Sequence, residues 1–239
     1  MRVQVNFIVN KDLDFYSPLN EAMTAFIYRA IAEVDEEYAT KLHEGYKKVG
    51  YKKYVFFVYN ISQNKRIAQF HLKKGIATLV FSSAVKETVI KFAQGLMKIG
   101  SIQLFGYSFN IHSISYIKEP ALTNSEIFQA VSPVYATRID GKWLKPREME
   151  VKLGENLIEK YYALYGKLPA RDVKIKILSH RPEYFKYKKE TYRGYVGLIA
   201  LEGDRDLIGL AYNAGLGSRC GQGMGLLEKV EFDKCCYED

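Results

Sequence analysis

The spacing of apolar residues divides the first part of the chain into strands and helices. Apolar and polar residues alternate over residues 2–9, and this period of two predicts a half-buried strand. Over residues 19–34 the apolar positions recur every three or four residues, which predicts a helix with Ser17 at its N-cap and Pro18 at its first position. The same reasoning assigns the following segments: a short helix over 36–43, a basic loop over 44–53, strands over 54–61, 69–73 and 76–82, a helix over 84–97, and strands over 102–105 and 107–117.

The remainder of the chain repeats this order of elements without visibly repeating the sequence. Apolar residues at spacings of four over residues 147–165 predict a long helix. Asp204 is a suitable N-cap for a second helix. The predicted elements are a strand over 128–138, the helix over 147–165, strands over 173–178 and 192–201, a helix over 204–213, and a last strand over 226–232.

Both parts follow the order β-α-β-β-α-β, with one extra hairpin strand in the first, and this is the order of the ferredoxin-like or RRM-like fold. We therefore predict an α+β protein of two tandem ferredoxin-like domains. Glu119-Pro120 marks the boundary, which gives a first domain of residues 1–118 and a second of residues 119–239. We call these two ranges the first half and the second half.

Basic residues outnumber acidic residues in this chain. Its 239 residues include 35 lysines and arginines against 27 aspartates and glutamates, a formal net charge of +8, and they also include 19 tyrosines and 13 phenylalanines. An excess of positive charge indicates a polyanionic partner, and aromatic rings suit stacking on unpaired bases. Most of the rings are nevertheless expected in the core.

Several classes of protein are disfavoured. Cys220, Cys235 and Cys236 form neither a C-x-x-C pair nor a disulfide framework, which favours a reducing compartment. The N-terminus lacks a signal-peptide pattern, and no apolar run reaches the ~18 residues that a membrane span needs. We expect a cytoplasmic protein with no membrane partner. No cluster of His, Cys, Asp and Glu has the spacing of metal ligands, so neither a metal nor another cofactor is expected.

A glycine-rich segment near the C-terminal end is the sharpest motif. Five glycines fall within eleven residues, in a chain whose eighteen glycines are otherwise scattered. Glycine permits positive φ and close backbone approach, so such a run suits a loop whose N–H groups approach an anion, with Arg219 projecting into it. We call residues 215–225 the glycine loop. Its glycines are Gly215, Gly217, Gly221, Gly223 and Gly225.

The position of the glycine loop excludes the familiar nucleotide-binding loops. It follows a predicted helix and precedes a predicted strand, whereas a P-loop or a Rossmann turn follows a strand and opens a helix. The G-x-G pairs five residues apart resemble the glycine-rich loop of the RAMP superfamily, the CRISPR-associated RNA-binding proteins built on RRM-like domains. Within it, the chain is most similar to the sixth Cas family, endoribonucleases that cut CRISPR repeat transcripts. Ser132-Pro133-Val134 is also common there. The resemblance implies the same tandem domains and a glycine loop that binds RNA.

Cleavage of RNA without a metal needs three groups. One takes the proton of the 2′-hydroxyl, one supplies a proton to the 5′-oxygen, and one stabilises charge at the phosphate. The family's tyrosine, histidine and lysine correspond to Tyr28, His43 and Lys52, although Lys53 lies one position away and stays an alternative. On a helical wheel Tyr28 lies roughly 140° from the centre of the apolar stripe, so we expect it to face away from its own core. The neighbouring basic residues expected to bind RNA are Lys47, Lys48 and Lys53.

Two functions from different classes follow. The first is a metal-independent endoribonuclease that leaves crRNA with 5′-hydroxyl and 2′,3′-cyclic phosphate ends. The second is a non-catalytic RNA-binding subunit of a CRISPR effector complex on the same scaffold. His43 favours the first, because some relatives bind repeats but have lost that histidine. A small-molecule enzyme has no supporting constellation. The expected partner is CRISPR repeat RNA, while further effector subunits and a homodimer stay open.

Overall fold

The computed structural model describes residues 1–15, 19–50, 52–62, 65–66, 69–137, 144–187 and 190–231, and for a few of them, Lys48 included, only the backbone. The helices of the first half are α1 (Leu19–Ala32), α2 (Glu36–His43) and α3 (Lys86–Ile99). Its strands are β1 (Arg2–Val9), β2 (Leu13–Phe15), β3 (Lys47–Val49), β4 (Lys52–Tyr54), β5 (Phe57–Ser62), β6 (Lys65–Arg66), β7 (Gln69–Leu72), β8 (Gly75–Ser83), β9 (Ser101–Leu104) and β10 (Tyr107–Ile117).

The main sheet of the first half has the strand order β5-β8-β1-β10-β9, and every neighbouring pair is antiparallel. Val3, Val5 and Phe7 of β1 are fully buried, as their alternation with polar residues predicts. The helices α1 and α3 pack on this face, where Ile27 and Phe92 join the same core. The predicted strand over 102–105 is β9, at the edge of this sheet, whereas the predicted strand over 69–73 is β7, which pairs with β2 and β6 in a separate sheet.

The second half has the same topology. Its elements are β11 (Ser125–Val134), α4 (Pro146–Tyr165), β12 (Val173–Ile177), β13 (Arg181–Tyr187), β14 (Glu190–Gly203), α5 (Arg205–Ala214) and β15 (Leu227–Lys229). The sheet order is β12-β14-β11-β15, and β13 pairs with β14 outside this path. If β9 is set aside, the first sheet has the equivalent order β5-β8-β1-β10. In each sheet, the third of these four strands along the chain (β8 or β14) lies beside the first (β1 or β11). The prediction of two tandem ferredoxin-like folds is therefore confirmed, while residue 118 as a boundary between independent domains stays a prediction.

Some elements differ from the sequence-based expectations. The basic stretch predicted as a loop contains the short antiparallel hairpin β3–β4, and β13 was not expected because its sequence combines charges with Pro182. The last strand is only three residues long, and beside it the Leu226 N–H donates to the Ser132 hydroxyl of β11 rather than to a backbone carbonyl. The predicted cap at Ser17-Pro18, Cys235, Cys236 and the end of the last strand at residue 232 lie outside the described residues.

The segment between β4 and β5 sends consecutive side chains into different cores. Phe56 has a φ of 53°, in the left-handed region that bulky residues avoid. Its ring stacks on Tyr54, with ring centroids 5.9 Å apart, and both side chains belong to the core of the second half. The next residue, Phe57, is fully buried in the core of the first half. The reversal at Phe56 therefore holds β4 against the second half.

The glycine loop fills the junction between the two halves. Cys220 of the loop and Leu226, which follows it, pack with Val58 of β5 in a small buried cluster. Elsewhere in the junction, the Arg2 guanidinium lies 3.4 Å from the ring centroid of Tyr212 in α5. The loop also touches α1, because the Thr24 hydroxyl donates to the Gly221 carbonyl oxygen at 3.2 Å. None of the helices in the described part of the chain is both long and apolar enough to span a membrane.

Candidate active site

A cavity of about 1100 Å³ lies between the two halves and collects most of the predicted site residues. The first half contributes Tyr28, His43, Lys52 and Lys53 to its wall. The second half contributes one face of α4 and the cavity-facing part of the glycine loop, including Arg219. Residues far apart in sequence are thus brought together, although the fold alone assigns none of them a chemical role.

Tyr28 and His43 meet at one end of this cavity. Tyr28 lies in α1 and His43 is the last residue of α2, and their ring centroids are 5.1 Å apart in a T-shaped arrangement. Asp35 caps α2 by accepting a hydrogen bond from the Tyr38 N–H, which fixes the start of the helix that carries His43. His43 itself is exposed.

The helical wheel predicted that Tyr28 faces away from the core of its own half, and this prediction is wrong. Its ring is half-buried and packs edge-on against Phe57, with centroids 5.9 Å apart. The wheel considered one helix alone, whereas α2 and the second half cover this side of α1. Burial, with a smaller contribution from the nearby Tyr187 phenol, raises the pKa of Tyr28 to about 12.

The two candidate lysines lie side by side on β4 but have different surroundings. The Lys52 ammonium pairs with the Glu159 carboxylate of α4, and the Tyr54 hydroxyl donates to the same carboxylate oxygen at 3.3 Å. Lys53 follows in the strand and its side chain begins against Gly45. Among the described residues Lys53 has no ion pair. Both lysines line the cavity, so the choice between them stays open.

The other two lysines predicted to bind RNA lie on β3, the partner strand of β4. Lys47 is opposite Tyr54, and its exposed side chain lies beside α2 rather than in the cavity. Lys48 is opposite Lys53, and its side chain lies outside the described part of the structure. Their role in RNA binding stays a prediction.

The glycines of the loop are fixed by contacts within the protein. Gly217 and Gly225 have φ of 89° and 79°, and a Cβ at these positions would lie 2.3 Å from the Tyr135 carbonyl oxygen and 2.1 Å from that of Leu216. Gly215, Gly217, Gly223 and Gly225 are buried, whereas Gly221 is half-buried and lines the cavity.

Not every N–H group of the loop is available to an anion. The Gly225 N–H donates to Pro133 and the Gly223 N–H donates to Cys220, at 2.9 Å in both cases. These two N–H groups, which the sequence suggested for ligand contact, are engaged in holding the shape of the loop. The assignment of the five glycines to RNA binding stays a prediction. For Gly223 and Gly225, the predicted role is to maintain the shape of the loop.

Arg219 is the basic side chain that the glycine loop presents to the cavity. Its φ of 60° is unusual for a residue with a side chain, and such strained backbone clusters at functional sites. The guanidinium lies 4.1 Å from the centroid of the Tyr192 ring and donates to the Gln222 side chain at 3.0 Å. A weaker approach of 3.9 Å joins it to Glu190. The side chain is 32% exposed, so its head is oriented yet accessible.

The sequence reasoning missed the wall formed by α4. Asn156, Glu159 and Lys160 line the cavity there, and the last of them is only 5% exposed. A signal was present, because Lys160 falls seven residues after Leu153 and three after Leu157, at a position of the buried stripe. A charged residue in such a stripe indicates a specific partner.

Charge in the cavity is predominantly positive. The basic residues that line it are Lys52, Lys53, Lys152, Lys160 and Arg219, against Glu21 and Glu159, and Glu159 pairs with Lys52. Such a surface suits a phosphate backbone. Within the described residues, no group of three or more His, Cys, Asp and Glu side chains is arranged to hold a metal ion.

Comparison with known proteins identifies relatives across both halves. Residues 18–115 match the family model described as CRISPR-associated protein Cas6, N-terminal, and residues 117–229 match CRISPR associated protein Cas6, C-terminal. The CRISPR-associated endoribonuclease Cas6 of Pyrococcus furiosus is 29% identical over 240 residues, 96% of this chain and 89% of that protein. CRISPR-associated endoribonuclease Cas6 1 of Methanocaldococcus jannaschii is 27% identical, covering 87% and 85%. A solved structure described as CRISPR associated protein Cas6 shares the fold with a TM-score of 0.78 at 24% identity, covering 97% and 99%.

Proposed function

The chain belongs to the Cas6 family of endoribonucleases, and we propose that it cuts CRISPR repeat RNA without a metal ion, using the RNA's own 2′-hydroxyl as nucleophile. One observation carries the proposal beyond family membership. Tyr28 and His43, from different helices, meet with ring centroids 5.1 Å apart on the wall of a cavity that Arg219 and several lysines, Lys52 and Lys53 among them, also line. A nucleophile from the protein is not needed in this scheme.

The reaction is a transesterification, in which one phosphate ester bond is exchanged for another. The 2′-oxygen forms a bond to phosphorus as the bond from phosphorus to the 5′-oxygen breaks. The proton of the 2′-hydroxyl leaves and a proton is added to the 5′-oxygen, so the products are a 2′,3′-cyclic phosphate and a 5′-hydroxyl. No oxidant, reductant or further reactant is required.

His43 is assigned as the group that transfers a proton to or from one of these two oxygens. Histidine side chains ordinarily titrate close to neutral pH and serve as acid or base. Tyr28 is assigned as a hydrogen-bond donor, because a phenol with a pKa of about 12 stays protonated at neutral pH. Its ring also limits the positions that the neighbouring imidazole adopts.

Positive charge at the scissile phosphate comes from Lys52 in this proposal, with Lys53 as the adjacent alternative. Glu159 holds the Lys52 ammonium in the free protein, so an entering phosphate competes with that carboxylate. Lys53 meets no such competition among the described residues. A fixed ammonium stabilises the charge that develops on the phosphoryl oxygens.

Arg219 is assigned to RNA binding rather than to the chemical step. Its planar guanidinium suits a bidentate contact with a phosphate, and its side chain is held in place by Tyr192 and Gln222. Lys47, Lys48 and the glycine loop extend this basic surface in the proposal. Further effector subunits and a second copy of the chain remain candidates as additional partners.

The mechanism is tested with a repeat RNA that carries a 2′-deoxy sugar immediately 5′ of the scissile phosphate. In excess chelator, unmodified RNA is expected to be cut to cyclic phosphate and 5′-hydroxyl ends, while the deoxy RNA binds and stays intact. A second RNA, with the deoxy sugar one nucleotide further along, is the control and is expected to be cut. Normal cleavage of the first deoxy RNA would contradict the mechanism. Binding of unmodified RNA without any cleavage would favour the non-catalytic subunit instead.

A further inference from the structure

Helix α4 presents a buried lysine to the glycine loop. The Lys160 ammonium donates to the carbonyl oxygens of Gly215 at 2.6 Å and Gly217 at 3.2 Å, and it lies 3.4 Å from the Cys220 sulfur. An ammonium group has three N–H donors, and these three acceptors account for all of them. The side chain therefore links α4 to both ends of the first G-x-G pair.

The charge of Lys160 has no carboxylate partner among the described residues, although its side chain is 5% exposed. Burial of an unpaired ammonium is costly, and an apolar side chain of similar volume is often at least as stabilising at such a position. Part of the compensation comes from α5, because Gly215 follows the C-terminal end of that helix, where the dipole is negative. Lys160 is also one of the residues that line the cavity.

The contacts of Lys160 also set the path of the glycine loop. The Gly215 and Gly217 carbonyl groups point toward α4, and two residues later Arg219 adopts its left-handed φ of 60°. Loss of the ammonium would leave two buried carbonyl oxygens without this donor. We therefore expect the loop to change conformation just before Arg219 when the ammonium group is lost.

We propose that Lys160 is a positioning residue of the RNA site. It holds the Gly215 and Gly217 carbonyl groups so that Arg219 reaches the cavity, and its own unneutralised charge attracts the RNA phosphates that enter there. This inference rests on the proposed function, since it concerns the same cavity and the same substrate.

The test compares full-length Lys160→Met, Lys160→Arg and Lys98→Met variants. Lys98 is an exposed lysine of α3 outside the cavity, so Lys98→Met removes the same charge elsewhere. Affinity for the uncleavable 2′-deoxy repeat RNA is measured at several salt concentrations, together with melting temperature. Lys160→Met is expected to weaken binding by about 10-fold or more and to flatten the salt dependence, whereas Lys98→Met leaves both unchanged. Lys160→Arg, which keeps the charge, is expected to retain most of the salt dependence.

A purely structural role predicts a different result. In that case Lys160→Met lowers the melting temperature while affinity and salt dependence per folded molecule equal those of the wild type, and the inference is overturned. If the wild type itself neither binds nor cuts repeat RNA, the proposed function fails instead. Should Lys160→Met not fold, the Lys160 ammonium resonance of ¹⁵N-labelled wild-type protein is followed as the deoxy RNA is added. A shift at stoichiometric RNA supports the inference, and an unchanged resonance contradicts it.

Discussion

The two walls of the cavity are built by opposite means. On the first half, Tyr28, His43 and Lys53 contribute side chains from α1, α2 and β4. On the second half, the glycine loop contributes mainly backbone, with Gly217 and Gly225 in contact with neighbouring carbonyl oxygens. We therefore expect the first wall to tolerate changes of side chain without loss of the fold, whereas the glycines of the loop should not.

This difference teaches why a glycine-rich motif is ambiguous evidence for a binding loop. The positive φ values and close approaches that suit an anion also suit dense packing against the protein itself. Here the packing is directly visible, and Arg219, 32% exposed, is the charged residue of the loop that lines the cavity. Variants of the two walls should therefore separate stability from catalysis and from affinity.

The largest effect is expected for Gly225→Ala. The added Cβ would lie 2.1 Å from the Leu216 carbonyl oxygen, and the alanine would have to adopt a φ of 79°. We expect a loss of more than about 3 kcal/mol in the free energy of unfolding, a fall of roughly 6–12 °C in melting temperature. Gly209→Ala in α5 is the matched control, since a Cβ there meets nothing within 4 Å. Equal melting temperatures for the two variants would break the comparison.

His43→Ala probes the opposite wall. Removal of an acid–base group should lower the single-turnover cleavage rate by about 10²–10⁴. RNA affinity and melting temperature should change little, because His43 is exposed at the end of α2. His71→Ala serves as control, since that histidine pairs with Asp14 away from the cavity. A wild-type rate for His43→Ala would assign the chemistry to another site or to a contaminating nuclease.

Tyr28→Phe tests whether the tyrosine donates a hydrogen bond or takes a proton. Because burial raises the pKa of Tyr28 to about 12, the hydroxyl stays protonated below that pH. We expect the rate to fall by about 10-fold, with the shape of the pH–rate profile unchanged between about pH 6 and about pH 9. Loss of a limb of the wild-type profile in the variant would show that Tyr28 titrates during catalysis.

Arg219→Ala should have an effect of similar size to that of Tyr28→Phe, but on binding instead of on the chemical step. Loss of a charge-assisted contact is expected to weaken RNA affinity by about 10-fold, and the slope of log Kd against log salt should become shallower by about 0.7. Arg205→Ala, at an exposed position of α5, is the charge-matched control. If Arg219→Ala keeps the wild-type affinity and slope, the glycine loop is a structural element and not part of the RNA site.

Much of the fold follows from local periodicity. The alternation around Val3 and the spacing of four from Leu153 to Leu157 predict β1 and α4, and Asp204 caps α5 by accepting from the Asp206 N–H. Local patterns failed where pairing decides the structure. The segment of β13 contains Pro182 and several charges, yet it forms a strand because the length of β14 offers it a partner.

The candidate site was predictable only in part. The resemblance to a known family suggested Tyr28, His43 and Lys52, but the ring contact and the pairing with Glu159 depend on how α1, α2 and α4 pack. Lys160 shows the same limit, because its partners lie 55 and 57 residues further along the chain. A local sequence pattern does not predict which distant residues will pack against a glycine or a buried ammonium group.

The left-handed turn at Phe56 has a consequence for cooperativity. The chain of the first half donates Tyr54 and Phe56 to the core of the second, so the second core is incomplete without a peptide from outside its own sequence range. A boundary near residue 118 would then separate two folds, but we do not expect it to separate two units that unfold independently. Calorimetry of the whole chain should show one transition, and residues 119–239 alone should behave as an unsatisfied fragment. Lys52 and Lys53 belong to the same segment, so a change that displaces Tyr54 and Phe56 from the second core should also displace both candidate lysines.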